Sequence, residues 1–147
     1  MSIRRATEAD LPRLIELMAQ LRPDEPEAED ASRIEHYASV LARMTAQGQR
    51  VLVAEDDGQI AGALVLAITE NLTRKGTPYA IIENVVVDES ARGLGHGEAL
   101  IEQAVEEARQ AGCYKVSLTS NKRRGEAHRF YERLGFVQTH EAFRIDL

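Results

Sequence analysis

The sequence predicts an α+β fold, a central mixed sheet with helices packed over it, in the order β-α-α-β-β-β-α-β-α-β. Three observations carry this. Apolar residues recur at helical spacing in some stretches, alternate or run β-branched in others, and Gly, Pro or Asp-Gly marks the changes of period. At 147 residues the chain reads as one domain, 1–147, able to bury roughly 70% of the surface its unfolded form exposes.

Residues 2–6 form the first strand. Thr7 caps the first helix with Asp10 three residues on, a near-match to a capping box. Leu11, Leu14, Ile15, Met18 and Leu21 give that helix its apolar face. Pro23–Asp30 ends it. A second helix presents Ile34, Tyr37, Leu41 and Met44 on one face, with Gly48 past its end. Two strands follow, "RVLVAE" and "IAGALVLAIT", joined by "DDGQ", whose Asp-Gly accepts the positive φ of a tight hairpin. "YAIIENVVV", Tyr79–Val87, is nearly all apolar and predicts a strand buried on both faces. The stretch "ARGLGHGEAL" leads into a third helix, with Ile101, Ala104, Val105 and Ala108 inward and Glu102, Glu106, Glu107 and Arg109 outward. After Gly112, "CYKVSLTS" alternates as a strand. A short helix spans Glu126–Leu134 and stops at Gly135, and "FVQTHEAFRIDL" closes the chain as one long or two short strands.

Composition excludes several classes. Apolar residues at 44% and charged residues at 29% give a soluble globular balance, and no apolar run reaches the roughly 18 residues of a membrane span. The N-terminus has two arginines with no apolar stretch behind them, so it is not a signal peptide. One cysteine, Cys113, leaves no internal disulfide and fits a reducing cytoplasm. The four histidines have no metal-ligand spacing, and no metal is expected. A net charge of −6 disfavours nucleic acid as a partner. The charge is uneven: Pro23–Asp30 holds five acids and no base, whereas Asn121–Arg133 holds five Lys/Arg against two acids. The acidic stretch reads as solvated surface; alternatively the two stretches are the lips of a cleft.

Three glycines within five positions, Gly93, Gly95 and Gly97, stand between a buried strand and a helix start, where N–H groups and the helix dipole favour an anion. A P-loop is excluded because no Lys-Ser/Thr follows the glycines. A dinucleotide fingerprint fails because Glu98 occupies its last glycine place and the next strand ends in "SLTS" rather than an acid. Arg-x-x-Gly-x-Gly, carried by Arg92, Gly95 and Gly97, remains, alongside a tight turn with no ligand.

The order of strand, Arg92-Gly93-x-Gly95-x-Gly97, amphipathic helix, strand and then "AHRFYERLGF" resembles the GNAT superfamily of acetyl-CoA-dependent N-acetyltransferases. The likeness runs over nearly the whole chain and is strongest from Ile81 to Phe136. It implies a GNAT-like central mixed, mostly antiparallel sheet flanked by helices. It further implies that backbone amides of Arg92, Gly93, Leu94, Gly95, His96 and Gly97 hold the pyrophosphate of acetyl-CoA, the co-substrate. The pantetheine arm then runs along Val85, Val86 and Val87, and the strand from Cys113 splays to admit it. Many members place an asparagine close before Ala-x-x-Phe-Tyr, where it contacts the pantetheine; here Asn121 is separated from Ala127 by "KRRGE". The C-terminal segment resembles small bacterial members that include aminoalkylphosphonate N-acetyltransferases. Dimers are common in the family, so a homodimer is an expectation.

Amide formation from a thioester requires a deprotonated amine, a donor for the oxyanion and a proton for the departing thiolate. A Lys-like amine has a pKa of about 10.4, so only about one molecule in a thousand is nucleophilic at neutral pH. Glu83 is the candidate proton acceptor, directly or through water. Alternation puts it on the face of Ile81, Val85 and Val87, where burial would raise its pKa. The alternative is a strand bend in which Glu83 only bonds backbone or Asn84. Tyr131 is the candidate acid. The spacing of Ala127, Phe130, Tyr131 and Leu134 alone makes it a core residue, and the resemblance makes it the donor to coenzyme A. A phenol near 10 and a thiol near 8.5 differ by about 1.5 units, roughly 2 kcal/mol, which permits the transfer. A backbone N–H of Val85–Val87 serves as oxyanion donor. His96 is expected to act through its backbone, His128 and His140 are surface or packing residues, and Cys113 lacks a nearby base.

The leading expectation is acetyl transfer to a small-molecule amine. A protein or peptide acetyltransferase is one competitor. A non-catalytic acyl-CoA sensor is another, disfavoured by the presence of both Glu83 and Tyr131. The acidic stretch favours a cationic acceptor and the basic stretch an anionic one.

Overall fold

The computed structural model describes residues 1–121 and 123–147, and Lys122 of the basic stretch lies outside the described residues. The chain divides into two compact units, Met1–Ser117 and Leu118–Leu147. The sheet has five strands in the order β1-β2-β3-β4-β5. These are β1 (Ser2–Arg5), β2 (Gln49–Asp56), β3 (Gln59–Thr69), β4 (Tyr79–Val87) and β5 (Val116–Leu118). The first four pair antiparallel, and β5 runs parallel to β4. The helices are α1 (Leu11–Ala19), α2 (Ile34–Ala46), α3 (His96–Gln110) and α4 (Gly125–Arg133).

Local chemistry explains the elements of the first unit. The Thr7 N–H donates to Asp10 Oδ2 at 2.7 Å, forming the capping box ahead of α1. Arg4 joins that carboxylate to Glu55 across the sheet, at 2.8 Å to Asp10 and 2.6 Å to Glu55. Between β2 and β3, Asp57 at φ 50° and Gly58 at φ 75° make the tight turn that suits a twisted hairpin. Leu17 is wholly buried with Leu11, Leu14 and Ile15. The helical pattern favoured Met18 and Leu21 instead, yet α1 ends at Ala19 and both are only half-buried.

Strand register assigns the faces. Val53, Ala63 and Val86 lie across from one another and pack with Leu11, Leu14 and Leu17 of α1, with Ile34, Tyr37 and Leu41 of α2 at the edge. The opposite face carries Leu52, Leu64 and Gly62 beneath α3, whose Leu100, Ile101, Ala104 and Ala108 are buried. Gly62 is required there: an added Cβ would meet the Val86 carbonyl oxygen at 2.9 Å and Leu100 Cδ1 at 3.2 Å.

Three sequence expectations need correction. Strand β4 is buried through Ala80, Ile82 and Val86 only, because Glu83 and Asn84 are exposed and its remaining residues half-buried. Strand β5 has three residues rather than the eight of its alternating pattern. Alternation records which side a side chain takes, whereas a ladder needs hydrogen bonds. Those near β5, Tyr114 N–H to Pro78 O and Ala80 N–H to Lys115 O, sit at the start of β4. Finally, residues 136–147 form no strand. Alternation supplied apolar residues with no ladder partner among the described residues, leaving Phe143 94% and Ile145 84% exposed.

Candidate active site

Strand β4 carries a bulge at its middle. Val65 pairs with Glu83 and Ala63 with Val86, so one residue of β3 opposes Asn84 and Val85 of β4. Asn84 sits at φ 54°, the left-handed region that asparagine tolerates better than most residues. The extra residue switches the faces of the strand. Ile82 lies on the α3 face with Leu66, whereas Val86 lies on the α1 face with Ala63. Glu83 therefore shares the face of Val65 and Val51, while Val87 pairs with Gly62 on the other. Simple alternation had grouped Glu83 with Val87 as a buried acid. The bend that stood as the alternative is present, and the carboxylate is exposed.

From the end of β4 the chain enters the glycine loop, and both ends of that loop are anchored. At entry, the Asp88 N–H donates to Ala61 O at 2.8 Å. The Asp88 carboxylate accepts from the Ser90 N–H at 2.9 Å and the Ser90 hydroxyl at 2.6 Å, and it pairs with Arg13 of α1. The two bonds from Ser90, with Arg13 beside them, hold its pKa well below the usual carboxylate range. At exit, His96 is 2% exposed, the one buried polar side chain among the described residues. Its Nε2 is 3.1 Å from Asp56 Oδ2, and its Nδ1 is 3.3 Å from Ala91 O.

Between these anchors Arg92, Gly93, Leu94 and Gly95 are exposed. Gly93 at φ 80° and Gly95 at φ 86° need glycine for their backbone conformation, and nothing lies within 4 Å of where either Cβ would stand. The first intrahelical bond of α3 is Ala99 N–H to Gly95 O, so the N–H groups of His96, Gly97 and Glu98 head the helix before it. Open backbone and a helix N-terminus suit the pyrophosphate of a nucleotide.

The second unit is described by itself. Asn121 is exposed and organises the turn before α4. Its Oδ1 accepts from the Arg123 N–H at 2.9 Å and its carbonyl from the Arg124 N–H at 3.0 Å. Tyr131 is half-buried on α4, edge-on to Phe130 at 5.2 Å and to Phe136 at 6.0 Å between ring centroids. Burial pushes its phenol pKa up, opposed by Arg124. His128 bonds the Asn121 carbonyl and His140 meets Thr139, local roles in both cases. In the first unit, burial raises the Cys113 thiol pKa, away from a ready nucleophile.

Asp88, Arg13 and Asp56 escaped the sequence reading. Asp88-x-Ser90 was legible as a side-chain-capped turn after a strand. Nothing in the order of residues connects Asp56 to His96 forty positions away.

Comparison with known proteins identifies the family. The profile of the acetyltransferase (GNAT) family matches residues 11–136. A glucosamine 6-phosphate N-acetyltransferase of Trypanosoma brucei brucei is 36% identical over 149 aligned residues, which take in 100% of this chain and 96% of that protein. An aminoalkylphosphonate N-acetyltransferase of Salmonella typhimurium is 37% identical over 59% of this chain and 56% of its own length. Among solved structures, a putative acetyltransferase from Agrobacterium tumefaciens superposes with a TM-score of 0.90 at 40% identity, covering 100% of both chains. The chain belongs to the acetyltransferase (GNAT) family and is an N-acetyltransferase.

Proposed function

We propose that the chain is a single 1–147 catalytic domain that moves an acetyl group from acetyl-CoA to the primary amine of a small molecule, by direct attack in a ternary complex. GNAT acetyltransferases use acetyl-CoA as co-substrate. The observation that carries the reading here is the glycine loop, open along Arg92–Gly95 and anchored at Asp88 and His96. Backbone N–H groups from Arg92 to Gly97 bind the pyrophosphate, Val85–Val87 lie along the pantetheine, and Asn121 contacts that arm. Acetyl-CoA supplies an activated acyl carbon. The residues supply position and proton transfer.

The exposed Glu83 accepts the proton of the attacking amine through water. Tyr131 gives its proton to the thiolate, and a raised pKa keeps the phenol protonated at neutral pH. Glu83→Gln lowers kcat at neutral pH and recovers at high pH, where the amine deprotonates unaided. A rate that stays flat with pH in this variant removes Glu83 from the relay.

The acceptor in this reading also bears a phosphate or phosphonate, as the names of two relatives do. A cationic, aromatic cluster on this chain supports it. Arg74 stacks 5.2 Å from the Tyr114 ring, and Lys115 lies 5.6 Å from the Tyr79 ring at the start of β4. The test is thiol release from acetyl-CoA across glucosamine 6-phosphate, aminoalkylphosphonates, unphosphorylated amines and peptides. Reaction with the phosphorylated amines alone supports the reading; preference for peptides overturns the acceptor class. Coenzyme A binding without turnover on any of these amines overturns the proposed acceptor class. A homodimer and a cytoplasmic setting belong to the same reading, the exposed, alternating Phe143, Ile145 and Leu147 being a surface for a second copy.

A further inference from the structure

The glycine loop is held from within by one side chain. We infer that His96 is a positioning residue, an imidazolium that joins both ends of the donor loop to the β2–β3 hairpin and so sets the affinity for acetyl-CoA in a pH-dependent way. This rests on the loop binding acetyl-CoA, as proposed above.

The charge state follows from the partners. Nδ1 faces a backbone carbonyl oxygen and Nε2 a carboxylate oxygen, at 3.3 and 3.1 Å. Neither partner has a proton to give. A neutral imidazole carries one N–H, so one nitrogen of a ring only 2% exposed would set its lone pair against an oxygen lone pair. Only the doubly protonated ring satisfies both partners. His96 is also the first residue of α3, where the helix dipole opposes a positive charge. The compensation is Asp56.

Other charged groups stand around the pair. The Met1 ammonium lies 3.7 Å from Asp56. Asp57 of the turn, Asp88 beyond β4 and Arg13 of α1 line the same cavity as His96 and Asp56, and Arg13 and Asp88 neutralise one another. Among the described residues, Asp56 is therefore the one carboxylate in direct contact with the ring.

The mechanical consequence is a closed loop. Ala91 precedes the exposed Arg92–Gly95 segment and His96 follows it, so one ring spans the segment and fastens it to Asp56, outside the loop and the helix. Two glycines at positive φ give that segment little stiffness of its own. Its N–H groups stay directed at an anion because their ends are fixed. The ring points inward, so its side chain is no phosphate ligand.

The sign of the pH effect follows. The doubly protonated ring makes both bonds. As pH rises and one proton leaves, one bond becomes a repulsion, the loop loosens and coenzyme A binds more weakly.

The experiment is calorimetric titration of coenzyme A into the full chain at about pH 6 and about pH 8.5, which bracket the usual histidine range. Wild type, Asp56→Asn and His96→Gln are compared, so that titration of the nucleotide's own phosphates cancels. At the lower pH, Asp56→Asn binds about tenfold more weakly than wild type. At the higher pH the two converge. In steady state the loss falls on KM for acetyl-CoA, not on kcat. Nitrogen NMR of the wild-type ring shows both nitrogens protonated at the lower pH. A single neutral tautomer there, or equal affinity of wild type and Asp56→Asn at both pH values, overturns the inference alone. Failure of wild type to bind coenzyme A at either pH overturns the proposed function, and this inference with it.

Discussion

The two compact units differ in how they hold their candidate site residues. In Met1–Ser117 the sheet is packed from both sides, and the wholly buried Leu17, Leu52, Leu64 and Leu66 all belong to it. The loop Asp88–His96 is fastened to that core at both ends, through Arg13 on one side and Asp56 on the other. In Leu118–Leu147 no described residue is fully buried. Tyr131 is placed by one helix and two neighbouring rings, and the chain then runs on with its apolar side chains in solvent. Thirty residues cannot enclose a core of their own, because too little of a short chain leaves the surface. The candidate donor site is thus prearranged by packing, whereas the candidate acid depends on local contacts.

The sharpest way to break this contrast is to remove core from each unit. Leu17→Ala in the first should cost about 3 kcal/mol of unfolding free energy, as expected for a wholly buried leucine. The half-buried Leu134→Ala in the second should cost about 1 kcal/mol or less. Denaturant titration measures both, and equal losses would contradict the division. Next in size, Tyr131→Phe should lower kcat about 100-fold, near 2.7 kcal/mol of activation free energy, with KM for acetyl-CoA unchanged. An unaltered kcat would return Tyr131 to packing between Phe130 and Phe136. Because burial raises the phenol pKa and the acid must be protonated, the alkaline loss of rate should fall above the ordinary phenol value of about 10.

The smallest effect concerns charge. The side-chain bond from Arg4 lowers the Asp10 pKa from 3.8 to about 2. A depressed carboxylate stabilises the fold above its unfolded pKa and loses that contribution as pH falls through the folded value. Arg4 is partly exposed, so solvent screening leaves about 1 kcal/mol, lost between about pH 4 and pH 2. Asp10→Asn should flatten the stability curve of the first unit there. Arg144–Asp146 in the second unit is almost fully exposed, and breaking it should change nothing measurable.

The parts of the fold legible in sequence were those written in local periodicity and turn chemistry. Strand β4 spans the residues its β-branched run predicts, the Asp57-Gly58 turn joins the expected hairpin, and the Thr7–Asp10 box starts the first helical segment. The glycine loop and the Phe130-Tyr131 pair were also legible, because a left-handed backbone and a helix face leave marks in neighbouring residues. The exposed Glu83 was misread since the bulge at Asn84 adds one residue and reverses the side taken by everything after it. The terminal strand was misread since alternating apolar residues describe a strand only when a partner accepts their hydrogen bonds.

Residue order by itself determined the α+β class, the capping box ahead of the first helix and a backbone suited to an anion, all set by interactions within a few residues. Tertiary structure decided which face Glu83 takes, how far β5 pairs, and that His96 turns inward to Asp56 rather than out of the loop. Those outcomes depend on register and burial between segments tens of residues apart, where no spacing in the sequence records which groups will meet.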